Sequence, residues 1–194
     1  MTLANKITFS RIILVIPFTA VLTSPAPSAP VWAIAILLIA AASDYLDGVI
    51  ARRRREVSDL GKFLDPLADK LFVSAGLIIM AGMDEVNLPV WTVIIVVGRE
   101  FIISSLRTYA ASKGRIMAAL MTGKIKTALQ LAGLFLLLVL TAFSRKDILN
   151  GINIGMVSYI TALIIAACTF YSGVVYIVKN IDIFKDKDMK TEEK

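Results

Sequence analysis

Six mostly apolar segments, separated by short polar or proline-containing breaks, account for most of the chain. They lie near residues 7–23, 31–51, 62–83, 88–110, 121–143 and 152–178. A helix needs about 20 mostly apolar residues to span the hydrocarbon core of a bilayer, and each segment has roughly that length. Because no break is long enough for a second domain, we predict an all-α integral membrane protein with six transmembrane helices. Residues 1–180 form one transmembrane domain in this interpretation, and residues 181–194 form a polar cytosolic tail.

The composition favours a membrane protein over a soluble one. Apolar residues make up 57% of the 194 residues, against about 45–50% in a typical soluble domain, and the mean hydropathy is +0.76. The same composition, with one cysteine, excludes disordered and disulfide-rich chains. We expect the net charge of +6 to reflect cytoplasmic loops beside anionic lipid, and no nucleic-acid partner.

Lysine and arginine are concentrated in alternate breaks, which predicts the orientation in the membrane. Residues 52–62, residues 107–126 and the C-terminal stretch are rich in them, whereas residues 23–30 and 83–89 contain none. Cytoplasmic loops carry the excess of these residues, so we expect both termini in the cytoplasm. The first segment also resembles a signal peptide, but Pro30 follows its small-residue stretch, so we expect no cleavage there.

Four aspartates stand at neighbouring ends of the second and third segments. Asp44 and Asp47 are three residues apart and share one helix face, and Asp65 and Asp69 are four residues apart and share another. The break between the two segments is cytoplasmic, so the helices are expected to be antiparallel neighbours. Both acidic faces should therefore converge near the cytosolic surface. Charges inside apolar segments are costly and are functional by default.

Converging carboxylates repel one another and need cations. The chain has no histidine, and Cys168 stands in an apolar run where packing is its expected role. Hard oxygen ligands without histidine or cysteine suit Mg²⁺, Mn²⁺ or Ca²⁺ rather than zinc. Two divalent ions would balance four carboxylates and clamp phosphate oxygens during displacement at phosphorus. Asp69 is the deepest of the four and could remain free as a general base.

Two other interpretations of the aspartates stay open. In the first, they are interfacial charges that pair with the basic residues around them, Arg52–Arg55, Lys62 and Lys70. In the second, they form the ion site of a cation transporter. Grouping near one membrane face, instead of at the midplane, favours an enzyme over a transporter. Small residues beside the acids, Gly48, Ala51 and Gly61, would leave room for a substrate against the backbone.

The spacing of these residues resembles the motif of the CDP-alcohol phosphotransferase family. The run that carries the resemblance is Asp44-x2-Asp47-Gly48-x2-Ala51-Arg52-x8-Gly61-x3-Asp65-x3-Asp69. The resemblance implies a membrane enzyme, usually a homodimer, in which an alcohol displaces CMP from a CDP-linked lipid with two divalent cations, Mg²⁺ or Mn²⁺. It further implies that Asp44, Asp47 and Asp65 ligate metal, with Asp69 as a partial ligand or base.

The same resemblance assigns residues to the donor lipid. Gly48, Ala51 and Arg52 would lie against the cytidine diphosphate together with Asp44 and Asp65, and Gly61 would give it room. The stretch from Asn5 to Arg11 is similar to that of the bacterial phosphatidylglycerophosphate synthases within the family, as are residues 98–107 and 123–127. This implies CDP-diacylglycerol as donor, with Asn5 and Thr8 near it, glycerol 3-phosphate as acceptor, and a bacterial plasma membrane with the active site facing the cytoplasm.

A cluster of basic residues fits a phosphorylated acceptor. Its members lie where the fourth and fifth segments meet the cytosol: Arg107, Lys113, Arg115, Lys124 and Lys126. Cations of this kind bind phosphate, although the same residues also satisfy the excess of positive charge that cytoplasmic loops carry. Inositol phosphate, or phosphatidylglycerol as in cardiolipin synthesis, remains an alternative acceptor. The deeper Arg99 and Glu100 are expected to brace the site or the dimer.

Overall fold

The computed structural model describes residues 3–54, 59–115, 117, 120–146, 148 and 153–182, and within these ranges it leaves aside the side chains of residues 3–7, 44–54, 59–66 and 69. Nearly all of the described residues belong to six α-helices. The helices are α1 (Leu3–Leu22), α2 (Ala29–Arg54), α3 (Asp59–Ala81), α4 (Val90–Ser112), α5 (Met121–Ser144) and α6 (Ile154–Lys179). No strand occurs in these ranges.

Each helix overlaps one predicted apolar segment, so the prediction of six helices and an all-α fold is confirmed. The helices extend past the apolar runs where charged residues continue the helical backbone, as α2 does through Arg54. Proline delays α4, which begins at Val90 because Pro89 has an extended backbone at its N-cap, with φ −66° and ψ 127°. Most of the predicted polar tail, residues 183–194, lies outside the described residues.

Local hydrogen bonds define the ends of α4 and α6. After α4, Gly114 has a positive φ of 72°. The amide of Gly114 donates to the carbonyl of Ala111 and that of Arg115 to Ala110, both at 2.9 Å. This is a Schellman motif, in which glycine takes the left-handed position. At the start of α6, the side chain of Asn153 caps the helix by accepting from the amide of Met156 at 3.0 Å.

The helices form one bundle with α5 near its centre. α1 packs against α2 and α3, α5 packs against α2, α3 and α6, and α4 packs against α3 and α6. The largest fully buried apolar side chains include Phe18, Met80, Leu134 and Leu137. Phe18 on α1 also meets Phe72 on α3, with ring centroids 5.4 Å apart. The core therefore joins both halves of the chain through α3 and α5.

Two glycines allow α5 to approach its neighbours closely. A Cβ atom on Gly76 of α3 would lie 2.7 Å from Cδ1 of Leu134 on α5. A Cβ on Gly133 of α5 would lie 2.5 Å from Cδ1 of Ile165 on α6. Large side chains from the facing helix occupy both spaces, so α5 is held between α3 and α6 by glycine contacts on two sides.

An arginine at the end of α5 brings three breaks together. The Nε of Arg145 donates to Glu85 Oε1 at 2.8 Å, in the break between α3 and α4. Its Nη1 donates to the carbonyl of Ser24 at 2.9 Å, in the break between α1 and α2. Arg145 itself begins the break between α5 and α6. The odd-numbered breaks therefore lie at one end of the bundle, as an up-and-down arrangement requires.

The outer surface of the bundle is strongly apolar. Ile94, Phe101 and Phe170 are each exposed over more than 60% of their surface. Among the described residues, α5 and α6 are long and apolar enough to cross a membrane, each with a mean hydropathy of 2.0. Shorter apolar stretches occur in α1, α2 and α3. Large exposed apolar surfaces mark contact with lipid or protein, so the structure agrees with association with a membrane.

The contact between α5 and α6 predicts that a large side chain at Gly133 destabilises the protein, whereas a large side chain at Gly98 does not. Leucine at Gly133 would meet Ile165 and push the helices apart, and overpacking of this kind costs about 1–3 kcal/mol. We expect Gly133→Leu to lower the thermal unfolding midpoint in detergent. Gly98→Leu is the matched control, because a Cβ on Gly98 of α4 meets no atom within 4 Å. Equal midpoints for the two variants would contradict the close approach.

Candidate functional site

The four motif aspartates lie on the helical backbone of two consecutive helices. Asp44 and Asp47 belong to α2, and Asp65 and Asp69 belong to α3. The predicted spacings therefore place each pair on one face of a helix. Only residues 55–58 separate the two helices, so the Cα atoms of Arg54 and Asp59 can be at most about 18 Å apart. The side chains of the four aspartates lie outside the described part of the chain.

The donor set of these aspartates fits divalent cations. Four carboxylates on two helices provide only hard oxygen ligands, which Mg²⁺ and Mn²⁺ prefer. Among the side chains that the structure describes, no other group of three or more His, Cys, Asp or Glu residues could hold a metal ion. The residue types of the aspartate motif therefore fit a divalent metal.

The other residues predicted to contact the donor lipid lie on the same helices or on α1. Thr8 of α1 is buried, with 1% of its surface exposed. Asn5 is also part of α1, Gly48, Ala51 and Arg52 are part of α2, and Gly61 is part of α3. The structure describes the backbone of these five residues and not their side chains, so their contacts with the donor remain predictions.

A cavity of about 410 Å³ lies between α3, α4, α5 and α6. Among the described residues its wall is basic, because five cationic side chains line it together with one carboxylate, Glu100. The cations are Lys70, Arg99, Arg107, Lys124 and Lys126. Lys70 directly follows Asp69 in α3, so the cavity adjoins the acidic motif. A volume of this size is typical of small-molecule sites.

The structure brings together three of the five basic residues predicted for an acceptor phosphate. Arg107, Lys124 and Lys126 line the cavity. Lys113 and Arg115 follow the end of α4, are exposed and lie outside the cavity wall. The ammonium of Lys113 instead lies 6.0 Å from the centroid of the Tyr109 ring. The cavity therefore divides the predicted cluster into a lining group and a surface group.

Glu100 connects three of the cavity's cations. Glu100 is 8% exposed and Lys126 is 3% exposed. The ammonium of Lys126 donates a hydrogen bond to Glu100 Oε1. Lys70 Nζ lies 3.8 Å from Oε2 of the same carboxylate, and Arg99 Nη1 lies 3.5 Å from Oε1. Lys70 also donates to the hydroxyl of Ser104. Because an unpaired buried charge is costly, Glu100 stabilises the position of all three cations.

Neutral hydroxyl groups of α6 hold the two arginines. Arg99 Nη2 donates to Ser172 Oγ at 3.0 Å. Arg107 Nε donates to Tyr176 Oη at 2.9 Å, and its guanidinium carbon lies 5.1 Å from the centroid of the Tyr176 ring. Within the described ranges, the two terminal nitrogens of Arg107 have no acceptor. A guanidinium can bind a phosphate with two parallel hydrogen bonds.

Several cavity residues were not among the predicted substrate contacts. Arg99 and Glu100 were expected to brace the site, and both line the cavity. Lys70, Gln130 and Tyr176 were not assigned a role at the site. Each had a detectable signal, because Lys70 directly follows a motif aspartate and the other two are polar residues in otherwise apolar segments. Their convergence depends on contacts between helices, which a single sequence does not reveal.

The Glu100–Lys126 pair predicts an asymmetric double-mutant cycle. Glu100→Gln leaves the buried Lys126 ammonium without its counter-charge, and we expect a loss of about 3–5 kcal/mol in unfolding free energy. Adding Lys126→Met removes the stranded charge, so the double variant should be more stable than Glu100→Gln alone. Lys124→Met, at an exposed cavity residue, is the control and should leave the unfolding midpoint in detergent unchanged. Equal stability of Glu100→Gln and the native protein would show that the pair contributes nothing.

Comparison with known proteins identifies the family. The family model described as CDP-alcohol phosphatidyltransferase matches residues 1–178. The chain is 40% identical over 149 residues to the CDP-diacylglycerol–glycerol-3-phosphate 3-phosphatidyltransferase of Bacillus subtilis (strain 168), covering 71% of this chain and 76% of that protein. It is 36% identical over 176 residues to the protein of the same name from Yersinia enterocolitica, covering 88% and 90%. These matches confirm the resemblance seen in the aspartate motif, and the chain belongs to the CDP-alcohol phosphatidyltransferase family.

Proposed function

We propose that this chain transfers the phosphatidyl group of CDP-diacylglycerol to glycerol 3-phosphate and releases phosphatidylglycerophosphate and CMP. The observation that carries the proposal is the position of the basic cavity, because its wall residue Lys70 directly follows Asp69 of the acidic motif. A site for a phosphorylated acceptor thus adjoins the site for the donor. Both relatives named above carry the name of this reaction.

The charge of the cavity supports a phosphorylated acceptor. Among the described residues, its five lining cations exceed its carboxylate by four charges, and the terminal nitrogens of Arg107 have no acceptor there. An uncharged alcohol such as serine or choline would need fewer cations. Arg107, Lys124 and Lys126 are therefore proposed to bind the acceptor phosphate, with Lys113 and Arg115 attracting it at the rim of the site.

Members of this family use divalent metals, and we propose two ions, Mg²⁺ or Mn²⁺, for this chain. Asp44, Asp47 and Asp65 would hold them, with Asp69 as a partial ligand. When bound, the ions neutralise the pyrophosphate of the donor and so favour departure of CMP. The oxygen-only donor set on α2 and α3 supports this assignment.

The chain's own residues position the donor and move one proton. Gly48, Ala51 and Gly61 leave room for the nucleotide against the backbone, and Arg52, Asn5 and Thr8 contact the donor. Asp69 accepts the proton of the acceptor's primary hydroxyl. The resulting oxygen forms a bond to the phosphorus that carries diacylglycerol, and the bond from this phosphorus to the CMP oxygen breaks. Positioning and charge neutralisation supply most of the rate, as in other phosphoryl transfers.

We further propose that all six helices span the plasma membrane of a bacterium, with both termini and the active site on the cytoplasmic side. The convergence of the odd-numbered breaks at Arg145 supports this topology, since these breaks hold few lysines and arginines. Residues 1–180 would then form one catalytic domain, with residues 181–194 as a cytosolic tail. The family resemblance supports a homodimer.

The acceptor is tested by supplying purified protein and CDP-diacylglycerol with one acceptor at a time and following CMP release. We expect metal-dependent release with glycerol 3-phosphate and little with inositol phosphate or phosphatidylglycerol. A preference for inositol phosphate would replace the acceptor and keep the reaction type. No CMP release with any acceptor, together with cation flux into proteoliposomes, would favour a transporter.

The role of Asp69 predicts a loss of turnover without a loss of donor binding. A positioned general base contributes about 10²–10⁴-fold, so we expect Asp69→Asn to lower kcat by at least this factor, while the protein still folds and binds CDP-diacylglycerol. Asp84→Asn is the matched control, because Asp84 is exposed in the break between α3 and α4. Turnover of Asp69→Asn near the native rate would remove Asp69 as the base.

A further inference from the structure

α6 has a polar face that is entirely buried. Thr169, Ser172 and Tyr176 are at most 1% exposed, and their spacing of three and four residues places them on one side of the helix. The residues between them are apolar or aromatic, and Phe170 and Tyr171 are each 63% exposed. Hydroxyl groups in the interior of a bundle require hydrogen-bond partners, so the partners of this face indicate what it does.

Each hydroxyl of this face meets one residue of the basic cavity. Gln130 Nε2 donates to Thr169 Oγ1 at 3.0 Å. Ser172 and Tyr176 accept in the same way from Arg99 and Arg107. Tyr176 is the one α6 residue in the described cavity wall. α6 therefore contacts the cavity mainly through side chains that belong to α4 and α5.

We propose that this polar face of α6 orients the cavity's arginines, and that Ser172 and Tyr176 are positioning residues for the acceptor phosphate. The inference rests on the proposed function, because it takes the cavity as the acceptor site. Neither residue needs to touch the phosphate, since each acts through an arginine.

The geometry around Arg107 shows how such positioning works. The hydroxyl of Tyr176 takes the Nε hydrogen and the Tyr176 ring lies beside the guanidinium, which restricts the rotation of a long side chain. As far as the described side chains go, both terminal nitrogens then remain for a ligand. A guanidinium held in advance loses less rotational freedom when it binds, so affinity increases without any new contact.

Arg99 is held in a similar way by two neighbouring residues of α6. Its stem lies against Gly173, where an added Cβ would be 3.1 Å from Arg99 Cγ. Its Nη2 reaches the hydroxyl of the preceding residue, Ser172. Gly173 leaves room for the stem of Arg99, and the hydroxyl of Ser172 accepts its hydrogen bond. The two residues together position this arginine.

The choice of hydroxyl partners has an electrostatic reason. A carboxylate beside Arg107 would hold it equally well, but it would cancel the charge of this arginine and compete with the incoming phosphate. A hydroxyl acceptor orients a guanidinium and leaves its charge intact. The one described carboxylate of the cavity, Glu100, accepts hydrogen bonds from Lys126 and from Arg99, so the neutral hydroxyl of Tyr176 supplies orientation at Arg107, where net positive charge must remain.

The test is a double-mutant cycle between Tyr176 and Arg107. Tyr176→Phe keeps the ring and removes the hydroxyl, so we expect the KM for glycerol 3-phosphate to rise about two- to tenfold, the effect of one hydrogen bond. The KM for CDP-diacylglycerol should stay unchanged. Arg107→Ala should raise the acceptor KM further, and adding Tyr176→Phe to Arg107→Ala should have no additional effect, because the hydroxyl then has nothing to orient.

Two further variants separate positioning from a general structural role. Tyr171→Phe is the matched control on the same helix and should leave both KM values unchanged, because its ring faces outward. Ser172→Ala should reproduce the selective rise in acceptor KM through Arg99. Multiplicative effects of Tyr176→Phe and Arg107→Ala, or equal changes in the KM of both substrates, would overturn the proposal.

A binding measurement keeps the inference separate from the proposed function. Calorimetric titration of native protein with inorganic phosphate and with glycerol 3-phosphate, without donor, reports the cavity directly. We expect Tyr176→Phe to weaken both, and unchanged binding would contradict the inference. Absence of turnover with glycerol 3-phosphate in the native protein would instead contradict the proposed function. The titration with inorganic phosphate would then still test the inference, because it compares phosphate binding by the native protein and by Tyr176→Phe.

Discussion

The carboxylate of Glu100, buried among cations, is the constraint on which the basic cavity depends. Lys70, Arg99 and Lys126 come from three helices and all lie near it. Without a central negative charge, these cations would repel one another in surroundings that screen charge poorly. Glu100 therefore allows α3, α4 and α5 to meet with cationic side chains at their contact. The packing of these helices and the charge of the cavity therefore both depend on Glu100.

Carboxylate and hydroxyl partners have different effects on the cations that they hold. The hydrogen bond from Lys126 to Glu100 stabilises a cation that is 3% exposed. The carboxylate also neutralises the charge of this lysine within the protein. The hydrogen bond from Arg107 to Tyr176 fixes direction and leaves the charge for a ligand. Arg99 has both a hydroxyl partner, Ser172, and the carboxylate of Glu100. One cavity thus contains cations that stabilise the fold and cations that remain electrostatically free. Of the residues proposed for the acceptor phosphate, Arg107 belongs to the second kind and Lys126 to the first.

The sequence was sufficient for the helices because their limits depend on local features. Apolar runs and Pro89 place the ends of the helices within a few residues of those found. The cavity was predicted in part, since Arg107, Lys124 and Lys126 could be recognised as a basic cluster. Tyr176 was detectable as a polar residue in an apolar segment, but no role could be assigned to it, because an aromatic residue there is equally suited to lipid. The role of Tyr176 depends on which face of α6 is buried. Only the contact between α6 and α4 shows which face that is.

The adjacency of Asp69 and Lys70 explains how one helix can serve two substrates. Successive residues of an α-helix are about 100° apart around its axis. Asp69 thus shares a face with Asp65, whereas Lys70 is directed to the α4 side and the basic cavity. α3 then separates a region that suits metal and a pyrophosphate from a region that suits a free phosphate. Under the proposed function, displacement requires the acceptor hydroxyl beside the donor phosphorus, and opposite charges on adjacent faces of α3 support that proximity.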